Sequence, residues 1–377
     1  MISLFNRFIQ PGSTIGIIGG GQLGRMMTFC AKEAGYRVIV LEPGEDSPAG
    51  QVADEQIIAS YDDREALEQL AQKSDVITFE FENIDYDALH WLQDKAYVPQ
   101  GAEIIRVTQD RILEKQSLTD AGVKVAPYAV INNEQDLLEK INEIGIPSVL
   151  KTSRGGYDGK GQYVIKEKSD ITQAQKLLEH GPCVLESWIA YDKEISVVMT
   201  GGINNELTFF PIGENIHVNN ILHETIVPAR TNTNIEEKVH ALAKKIAQHF
   251  QLVGTLAVEM FLTEDGDIYV NELAPRPHNS GHYTIEACNI SQFGQHIRAV
   301  CGLPLQEIYL LQDAVMVNVL GQHMEKSVAQ MAEKRDWSFH FYGKAEAKHD
   351  RKMGHITIAT KDIESTLQII EASNIWN

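Results

Sequence analysis

Residues 256–277 read LAVEMFLTEDGDIYVNELAPRP, and this stretch decides the fold. Two apolar runs flank Asp265-Gly266, a dipeptide typical of two-residue turns between antiparallel strands. In the register that such a turn imposes, Glu259 faces Glu272 across the two strands. The same register pairs Phe261 with Val270 and Thr263 with Ile268. The pattern therefore predicts two carboxylates side by side on an otherwise apolar face of a sheet.

Like charges in that arrangement repel each other by about 3 kcal/mol, for a separation of about 5 Å and an effective dielectric constant of about 20. A divalent cation would remove this repulsion. Carboxylate oxygens favour Mg²⁺, which also binds the phosphate oxygens of substrates. Two alternatives remain open: a shifted register that places the acids on opposite faces, or one carboxyl group that stays protonated. We expect Glu259 and Glu272 to be metal ligands.

The chain continues through NELAPRPHNSGH, residues 271–282. Two prolines and a glycine exclude a regular helix, so His278 and His282 are not a zinc-binding pair one helical turn apart. Arg276, His278 and Asn279 instead supply hydrogen-bond donors near the predicted metal, as an oxyanion or a phosphoryl group requires. A packed structural loop is the alternative.

The N-terminal part alternates strand and helix patterns, which predicts a parallel sheet with helical crossovers. The predicted strands are residues 14–19, 37–41 and 75–79, and the helices are residues 22–34 and 64–72. After the first strand, GGGQLG at residues 19–24 matches the G-x-G-x-x-G pattern of dinucleotide-binding turns, and Glu42 lies where a ribose-binding acid would. The alternative is a tight strand-to-helix turn in a Rossmann-like domain that binds another ligand.

A compact α+β unit follows. Its predicted strands are residues 125–131, 147–151, 162–165 and 183–187. Its main predicted helix is residues 134–144, and a second helix is expected to end at His180. Two of the strands flank the loop RGGYDGKGQ at residues 154–162, which is not a Walker A motif because the Lys-Ser/Thr pair and a following helix are missing. Its glycines favour a mobile hairpin whose N–H groups close over phosphates, and Lys151 adds a positive charge upstream. A flexible surface hairpin is the alternative.

Length and composition indicate a globular enzyme of several domains. The chain has 377 residues, of which 43% are hydrophobic and 23% charged, so it can bury a large core. Its net charge of −19 argues against general binding to nucleic acids or anionic membranes. The four cysteines form no C-x-x-C pair, which predicts reduced thiols in the cytoplasm. We divide the chain into residues 1–107, 108–188 and 189–377, with a β-rich tail from about residue 314.

Three motifs together resemble the ATP-grasp enzymes: GGGQLGRM at residues 19–26, RGGYDGKGQ at 154–162 and NELAPRPHNSGH at 271–282. Within that family they resemble the 5-(carboxyamino)imidazole ribonucleotide synthases of purine biosynthesis, over nearly the whole chain. The related formate-dependent glycinamide ribonucleotide transformylases carry a serine run where this chain has Gly-Gly-Tyr-Asp. The resemblance implies an ATP-grasp fold with α/β and α+β parts. These are an N-terminal Rossmann-like pre-ATP-grasp domain, a small α+β lid and a C-terminal domain that ends in a β-rich tail.

The resemblance also implies a reaction. Bicarbonate attacks the γ-phosphate of Mg-ATP to give carboxyphosphate, and the amine of aminoimidazole ribonucleotide takes the activated carboxyl group or the CO₂ released from it. The cofactors are ATP and Mg²⁺, with up to two ions, and no biotin. The partners are small-molecule substrates, without nucleic acid or membrane, and the family suggests a homodimer. We therefore expect a cytoplasmic ATP-dependent ligase.

For ATP, the resemblance implies phosphate contacts from Arg111 and Lys151, an adenine-binding connector at residues 186–189, and a ribose contact from Glu194 with His217 nearby. The full set of implied ATP-binding residues is Arg111, Lys151, Gly156, Tyr157, Asp158, Gly159, Lys160, Gly161, Gln162, Glu186, Ser187, Trp188, Ile189, Glu194, His217, Asn271 and Glu272. Lys160 stands where the family often has arginine, so a bidentate contact is not expected there although phosphate attraction is.

For catalysis, the resemblance implies that Arg276 and His278 position bicarbonate and carboxyphosphate, with Asp158 as the base near the reacting amine. The implied ribonucleotide-binding residues are Gln22, Leu23, Glu80, Asn279, Lys344, Arg351 and Lys352, the last three for the 5′-phosphate. Outside the family context, the basic cluster in the tail reads as a solvated surface turn.

Three other functions compete with this one. An NAD-dependent oxidoreductase built on the first glycine motif leaves the second glycine loop and the acid pair unexplained. The transformylase requires formate and glycinamide ribonucleotide. A nucleotide-sensing module without catalysis does not need metal and oxyanion groups placed for phosphoryl transfer.

Overall fold

The computed structural model describes residues 8–156 and 159–376. The N-terminal part is a parallel sheet in the order β3-β2-β1-β4, as the strand and helix alternation predicted. Its strands are β1 Thr14–Ile18, β2 Arg37–Leu41, β3 Glu55–Ile57 and β4 Val76–Phe79. Its helices are α1 Gln22–Glu33, α2 Arg64–Lys73, α3 Tyr86–Gln93 and α4 Glu103–Thr108. Sequence patterns missed β3, which is only three residues long, and both α3 and α4.

The sheet is covered on both faces, which explains its nearly continuous apolar strands. On one face Ile15 and Ile17 pack with Met27 of α1. On the other face Ile18 packs with Leu67 of α2. Successive strand residues point to opposite faces, so both layers of helix are needed to bury this sheet.

The second unit is an antiparallel sheet in the order β5-β8-β6-β7. Its strands are β5 Tyr128–Ile131, β6 Ser148–Thr152, β7 Gln162–Ile165 and β8 Cys183–Ser187, with helices α5 Arg111–Asp120, α6 Glu134–Ile144 and the short α7 Ile171–Ala174. Two details of the prediction were wrong. The first strand begins later than expected because Val125 makes an isolated bridge to Val270 instead. The expected helix up to His180 is mostly 3₁₀ turns.

The third unit is one nine-stranded sheet, and the β-rich tail is part of it because β12 pairs with β15. Its strands are β9 Lys193–Gly201, β10 Leu207–Phe209, β11 Gly213–Val218, β12 Ile221–Val227, β13 Gly254–Leu262, β14 Ile268–Ala274, β15 Asp313–Leu320, β16 Trp337–Phe341 and β17 Lys352–Thr360. Its helices are α8 Thr233–Phe250, α9 Thr284–Ala287, α10 Gln292–Val300, α11 Met324–Gln330 and α12 Ile363–Ala372. Among these, α10 lies against β13 and β9 and also packs Phe293 and Ile297 against α1.

The hairpin β13–β14 pairs Glu259 with Glu272, as predicted, but the register of the flanking residue pairs differs from the prediction. The predicted pairs of Phe261 with Val270 and Thr263 with Ile268 were wrong, and so was the two-residue turn. The last ladder pair is Leu262 with Ile268, and the Thr263 hydroxyl closes a longer loop by accepting a hydrogen bond from the Asp267 N–H at 3.1 Å. A bulge between the pairs Met260–Val270 and Glu259–Glu272 then shifts the register by one residue and brings the two acids face to face.

Within the described residues, no helix is both long enough and apolar enough to span a membrane.

Gly201 ends the central strand β9 and has no room for a side chain. A Cβ there would lie 2.1 Å from the backbone oxygen of Leu252. We expect Gly201→Ala to lower the apparent free energy of unfolding by about 1–3 kcal/mol, because backbone must move to relieve the overlap. Urea denaturation measures this loss.

Gly202→Ala is the matched control, because its Cβ would first meet the flexible end of Glu206 at 2.9 Å. Its stability should stay close to that of the unaltered chain. Equal losses in the two variants would contradict the packing argument.

Candidate active site

One cavity of 420 Å³ is lined by residues from all three units. The predicted site residues among its lining are Arg111, Lys151, Gly156, Gly159, Lys160, Gln162, Glu186, Ser187, Trp188, Ile189, Glu194, His217, Glu259, Asn271, Glu272, Arg276, His278, Asn279 and Lys352. Residues from positions 82 to 352 therefore meet around one space. Tyr157 and Asp158, for which we predicted phosphate and base roles, lie outside the described residues.

The two facing carboxylates border this cavity with different neighbours. Glu272 Oε2 lies 3.2 Å from Arg111 Nη1, and Glu259 Oε1 lies 3.4 Å from His278 Nε2. Burial, and then the charge of Glu272, raise the pKa of Glu259 above its usual value. The pair is thus unfavourable as two bare anions, in line with the repulsion expected from the sequence.

The donor set fits a hard divalent cation such as Mg²⁺. Two carboxylates face each other across a hairpin, and burial and the charge of Glu272 raise the pKa of Glu259, an effect that a bound cation would offset. In the described part of the chain, no group of three or more His, Cys, Asp or Glu side chains is placed to hold a metal ion. An ion held by Glu259 and Glu272 would therefore take its other ligands from phosphate oxygens or water, which is the usual habit of Mg²⁺.

A buried network of charges lies beside the pair. Lys151 Nζ and Lys115 Nζ lie 3.1 and 3.3 Å from Glu186 Oε2. Burial alone would raise the pKa of Glu186, but Lys151, Lys115 and Arg111 outweigh it and hold this pKa at about 2. The other carboxylate oxygen of Glu186, Oε1, is buried and has no hydrogen-bond partner. It remains available to a donor on a ligand.

The bulge in the hairpin orients Asn271 toward the network of Lys151, Lys115 and Glu186. Without it, Asn271 and Glu272 would point to opposite faces of the strand, yet both line the cavity. Lys151 Nζ donates to Asn271 Oδ1 at 3.4 Å, and Lys115 Nζ donates to the Asn271 backbone oxygen at 3.0 Å. Lys115 is completely buried.

A second polar group lies on strands β9 and β11. Glu194 Oε2 is 2.9 Å from His217 Nδ1, and Tyr191 donates its hydroxyl to Glu194 Oε1 at 2.7 Å. The Tyr191 ring stacks on Phe261 with ring centres 4.7 Å apart. Burial lowers the pKa of His217, but its contact with Glu194 raises it more, and the net shift is upward. This pairing places a carboxylate and an imidazole together at the cavity wall.

Arg276 makes a forked ion pair with Glu82, a residue that sequence analysis missed. Arg276 Nε and Nη2 lie 2.5 and 3.2 Å from the two carboxylate oxygens of Glu82. Burial raises the pKa of Glu82, but Arg276 outweighs burial and the net shift is downward. The Nε–Nη2 edge of the guanidinium, which we expected to be available to an oxyanion, is therefore occupied by Glu82. The pair instead joins the loop after β14 to the end of β4.

His278 is neutral and has a defined proton position. Burial and then the charges of Arg276 and Lys352 hold its pKa well below the usual range. Its Nδ1 accepts a hydrogen bond from the Ser280 N–H at 3.3 Å, so the proton lies on Nε2, which faces Glu259. Next to it, both polar atoms of the Asn279 side chain are buried without a hydrogen-bond partner. Such a pair of unmet groups at a cavity indicates a bound ligand.

The first glycine turn is filled by the chain's own carboxylates. The Gly20 N–H donates to Glu42 Oε2 at 2.8 Å, and Glu80 accepts from the N–H groups of Gly21 and, at 2.6 Å, Gly24. A pyrophosphate would have to displace both acids. Glu42 also accepts a hydrogen bond from the Tyr61 hydroxyl at 2.5 Å, so its carboxylate is already engaged and is not placed to bind a ribose. The structure favours the alternative of a tight turn that does not bind a dinucleotide.

The predicted ribonucleotide residues of the N-terminal part differ in their surroundings. Gln22 begins α1 and is partly exposed, whereas the Leu23 side chain lies in the core with Met26 and Phe293. A contact from Leu23 to a ligand can thus come only from its backbone. Burial raises the pKa of Glu80.

The three basic residues of the tail are neighbours with different surroundings. Lys352 lines the cavity, whereas Lys344 and Arg351 are not among its lining residues. Lys344 Nζ donates to the Lys352 backbone oxygen at 2.7 Å, and exposed Arg351 donates to the Glu346 backbone oxygen at 3.0 Å. Burial, and then the charge of Arg351, lower the pKa of Lys344 to about 8.

Sequence analysis missed several groups of this site, among them Tyr191, Glu82, Lys115 and Glu114. The Glu114 carboxylate accepts a hydrogen bond from the Leu273 N–H at 2.7 Å. The sequence position of Glu82 could have indicated its role, because acids just after a parallel strand lie at the edge of the sheet where ligands bind. The positions of Lys115 and Glu114 gave no such indication. They lie on an ordinary polar helix pattern, and only tertiary packing buries them.

Three family models match successive parts of this chain. Residues 13–109 match the ribonucleotide synthetase preATP-grasp domain, residues 116–293 the ATP-grasp domain, and residues 314–369 the phosphoribosylaminoimidazole carboxylase C-terminal domain. Together with the cavity between the sheets, these matches define the chain as an ATP-grasp enzyme, an ATP-dependent ligase. The predicted fold class is confirmed.

Individual relatives narrow the class. The N5-carboxyaminoimidazole ribonucleotide synthase of Bacillus subtilis is 54% identical over 370 residues, which cover 98% of this chain and 97% of the relative. A crystal structure of an ADP complex of N5-carboxyaminoimidazole ribonucleotide synthetase is 54% identical with a TM-score of 0.96, covering 98% of each chain. The Aspergillus clavatus N5-carboxyaminoimidazole synthase in complex with ADP and 5-aminoimidazole ribonucleotide is 31% identical with a TM-score of 0.90, covering 97% of this chain and 98% of that chain. This chain belongs to the N5-carboxyaminoimidazole ribonucleotide synthase family, which is the family that its three motifs resemble.

Proposed function

We propose that this chain catalyses the ATP-dependent carboxylation of 5-aminoimidazole ribonucleotide with bicarbonate in purine biosynthesis. The observation that carries the proposal is the facing pair of Glu259 and Glu272, in one cavity with buried cations and the His278 loop. An acid pair beside cations suits Mg-ATP, and a neutral donor beside it suits a developing oxyanion. The relatives' names and the complex of the Aspergillus clavatus protein with ADP and the ribonucleotide support the choice of substrate.

ATP binds between the second and third sheets in this proposal. Arg111 and Lys151 attract its phosphates, and the backbone of residues 156–162 closes over them. The orphan oxygen of Glu186 accepts a hydrogen bond from the adenine amino group, beside the connector residues 187–189. Glu194, oriented by Tyr191 and His217, accepts the ribose hydroxyls. Each contact satisfies a group that the folded chain leaves near the cavity.

Glu259 and Glu272 would hold Mg²⁺, which supplies positive charge to the phosphates during transfer and relieves the repulsion between the two acids. Arg111 stays paired with Glu272 at 3.2 Å and shares in the neutralisation of that carboxylate. Lys151 is fixed by Glu186 and Asn271, so its charge reaches the phosphates without reorganisation.

The chemistry has two stages. A bicarbonate oxygen attacks the γ-phosphorus, the bond from this phosphorus to ADP breaks, and carboxyphosphate forms. The amine of the ribonucleotide then attacks the carboxyl carbon, in carboxyphosphate or in the CO₂ released from it, and phosphate leaves. The amine gives up its proton, for which Asp158 is the proposed base. Neutral His278 donates from Nε2 and Asn279 from its amide to the carboxyl oxygens, while Arg276 holds the loop in place through Glu82.

The ribonucleotide spans the first and third units in this proposal. Gln22, the Leu23 backbone and Glu80 contact it from the first unit, and Asn279 contacts it from the loop. Lys344 and Arg351 hold its 5′-phosphate, with Lys352 nearer to the reacting centre. These cations supply the local positive charge that an anionic substrate needs on a protein of net charge −19.

Further parts of the proposal concern the whole chain. We place the domain limits at residues 1–107, 108–188 and 189–377, which keep each of the three sheets within one domain. We assign the protein to the cytoplasm, with a homodimer as its assembly.

The reaction itself is tested by ADP release from Mg-ATP with each substrate added or withheld. We expect release that requires bicarbonate and is stimulated by aminoimidazole ribonucleotide, because transfer needs the bicarbonate acceptor. Coupled spectrophotometry measures the ADP. Turnover only with formate and glycinamide ribonucleotide would assign the chain to the transformylase branch instead.

The metal assignment is tested by Glu272→Gln. We expect loss of Mg-dependent turnover by at least about 10²-fold, since the amide keeps the shape but removes the anionic ligand. Circular dichroism should show an intact fold. Exposed Glu264, in the loop of the same hairpin, provides the control Glu264→Gln, which should keep normal activity. Normal turnover in Glu272→Gln would remove Glu272 from the metal site.

The pH profile tests Lys344 as a phosphate ligand. Its lowered pKa of about 8 means that the charge is present below this pH and is lost above it. We expect kcat/KM for the ribonucleotide to fall about tenfold as the pH rises through 8, which corresponds to about 1.4 kcal/mol. Lys344→Arg should flatten this decline, because arginine stays protonated. The kcat/KM for ATP is the control, and an unchanged decline in Lys344→Arg would contradict the assignment.

A further inference from the structure

The loop that carries His278 is held by a side chain outside it. Gln292 is the first residue of α10 and is completely buried. Its Oε1 accepts a hydrogen bond from the His278 N–H at 2.8 Å, and its Nε2 donates to the His278 backbone oxygen at 2.7 Å. One amide thus satisfies both backbone polar groups of His278, as a neighbouring strand would in a sheet.

Gln292 is itself fixed from several directions. Its N–H donates to the Thr284 hydroxyl at 2.9 Å, and that hydroxyl donates to the Gly281 oxygen at 2.6 Å. The side-chain Nε2 also lies 3.3 Å from Nδ1 of His282. A Cβ on Gly281 would lie 2.5 Å from Gln292 Oε1, so the loop packs directly on the amide. Helix α10 is anchored in turn against α1.

We propose that Gln292 is a positioning residue for the carboxylation step. By holding the His278 backbone, it aims the imidazole Nε2 at Glu259 and sets the adjacent Asn279 amide against the cavity. The inference rests on the roles proposed above for His278 and Asn279. The Arg276–Glu82 ion pair fixes this proline-containing loop two residues earlier, whereas Gln292 holds the backbone of His278 itself.

The effect should fall on one stage of the reaction. The proposed ATP contacts come from α5, β6 and the loop after it, β8 and the residues that follow it, β9, β11 and β14. The side-chain amide of Gln292 instead bonds to His278 and His282. Misplacement of reacting groups by about 1 Å costs up to about 10²-fold in rate. Loss of the Gln292 amide should therefore leave ATP binding intact while bicarbonate is used poorly and carboxyphosphate is wasted.

The same helix offers a matched control. Gln295 is equally buried, and its amide donates to the Thr208 hydroxyl at 3.1 Å and to the Gln306 oxygen at 2.8 Å. Neither partner lines the cavity. Gln295→Met therefore removes a buried amide of the same kind, one helical turn away, without touching the His278 loop.

The experiment compares Gln292→Met with Gln295→Met in the full-length protein. Thermal denaturation and Mg-ADP binding are measured first, followed by ADP and carboxylated product in the same reaction at varied bicarbonate. For Gln292→Met we expect kcat/KM for bicarbonate to fall about 10²-fold, KM for ATP to stay within about twofold, and more ADP per product than in the unaltered enzyme. For Gln295→Met we expect the ADP-to-product ratio to stay unchanged.

Equal catalytic losses in the two variants, or an unchanged bicarbonate dependence in Gln292→Met, would overturn the proposal. If Gln292→Met does not fold, Gln292→Asn takes its place, because this amide is one methylene group too short to reach both groups of His278. Full coupling in Gln292→Asn would equally overturn it. An unaltered enzyme without bicarbonate-dependent ADP release would contradict the proposed function instead, so the two failures are distinct.

Discussion

The structure depends on two carboxylates that repel each other across a hairpin. Glu259 and Glu272 face one another beside the cavity, and two like charges about 5 Å apart repel by about 3 kcal/mol at an effective dielectric constant of about 20. Arg111 from α5 partly neutralises this negative charge, and Lys151 and Lys115, which are themselves paired with Glu186, lie next to it. Because these cations come from outside the hairpin, the second and third units must come together for the site to exist.

The bulge and the loop after it determine how this site is completed. One extra residue on β14 places both Asn271 and Glu272 on the cavity, where a regular strand would present only one of them. The loop then crosses to the first unit through the ion pair of Arg276 with Glu82, and Gln292 fixes it from α10. Polar groups therefore join the three units at the point where the substrates meet.

The first glycine turn shows why spacing alone was ambiguous. G-x-G-x-x-G specifies a tight turn with exposed N–H groups at a helix N-terminus, and such groups bind an anion. The anion can be a pyrophosphate or a carboxylate of the chain itself. Here Glu42 and Glu80 fill the turn, and they come from the ends of two other strands. The pattern contains no information about which anion is used, because those acids are distant in sequence.

Local patterns by themselves determined much of this protein. The strand and helix alternation predicted the parallel N-terminal sheet. The Asp265-Gly266 turn predicted that Glu259 faces Glu272, although in a register that the structure does not have between the turn and the bulge. The three glycine- and proline-rich motifs identified the family, since those residue types are set by backbone and phosphate geometry at short range. Only tertiary structure decided the longer hairpin loop and its compensating bulge, the burial of Lys115, the Glu82–Arg276 ion pair and the hydrogen bonds of Gln292 to the His278 backbone. Each of these depends on contacts between residues that are brought together by packing, and no local periodicity encodes which partners will meet.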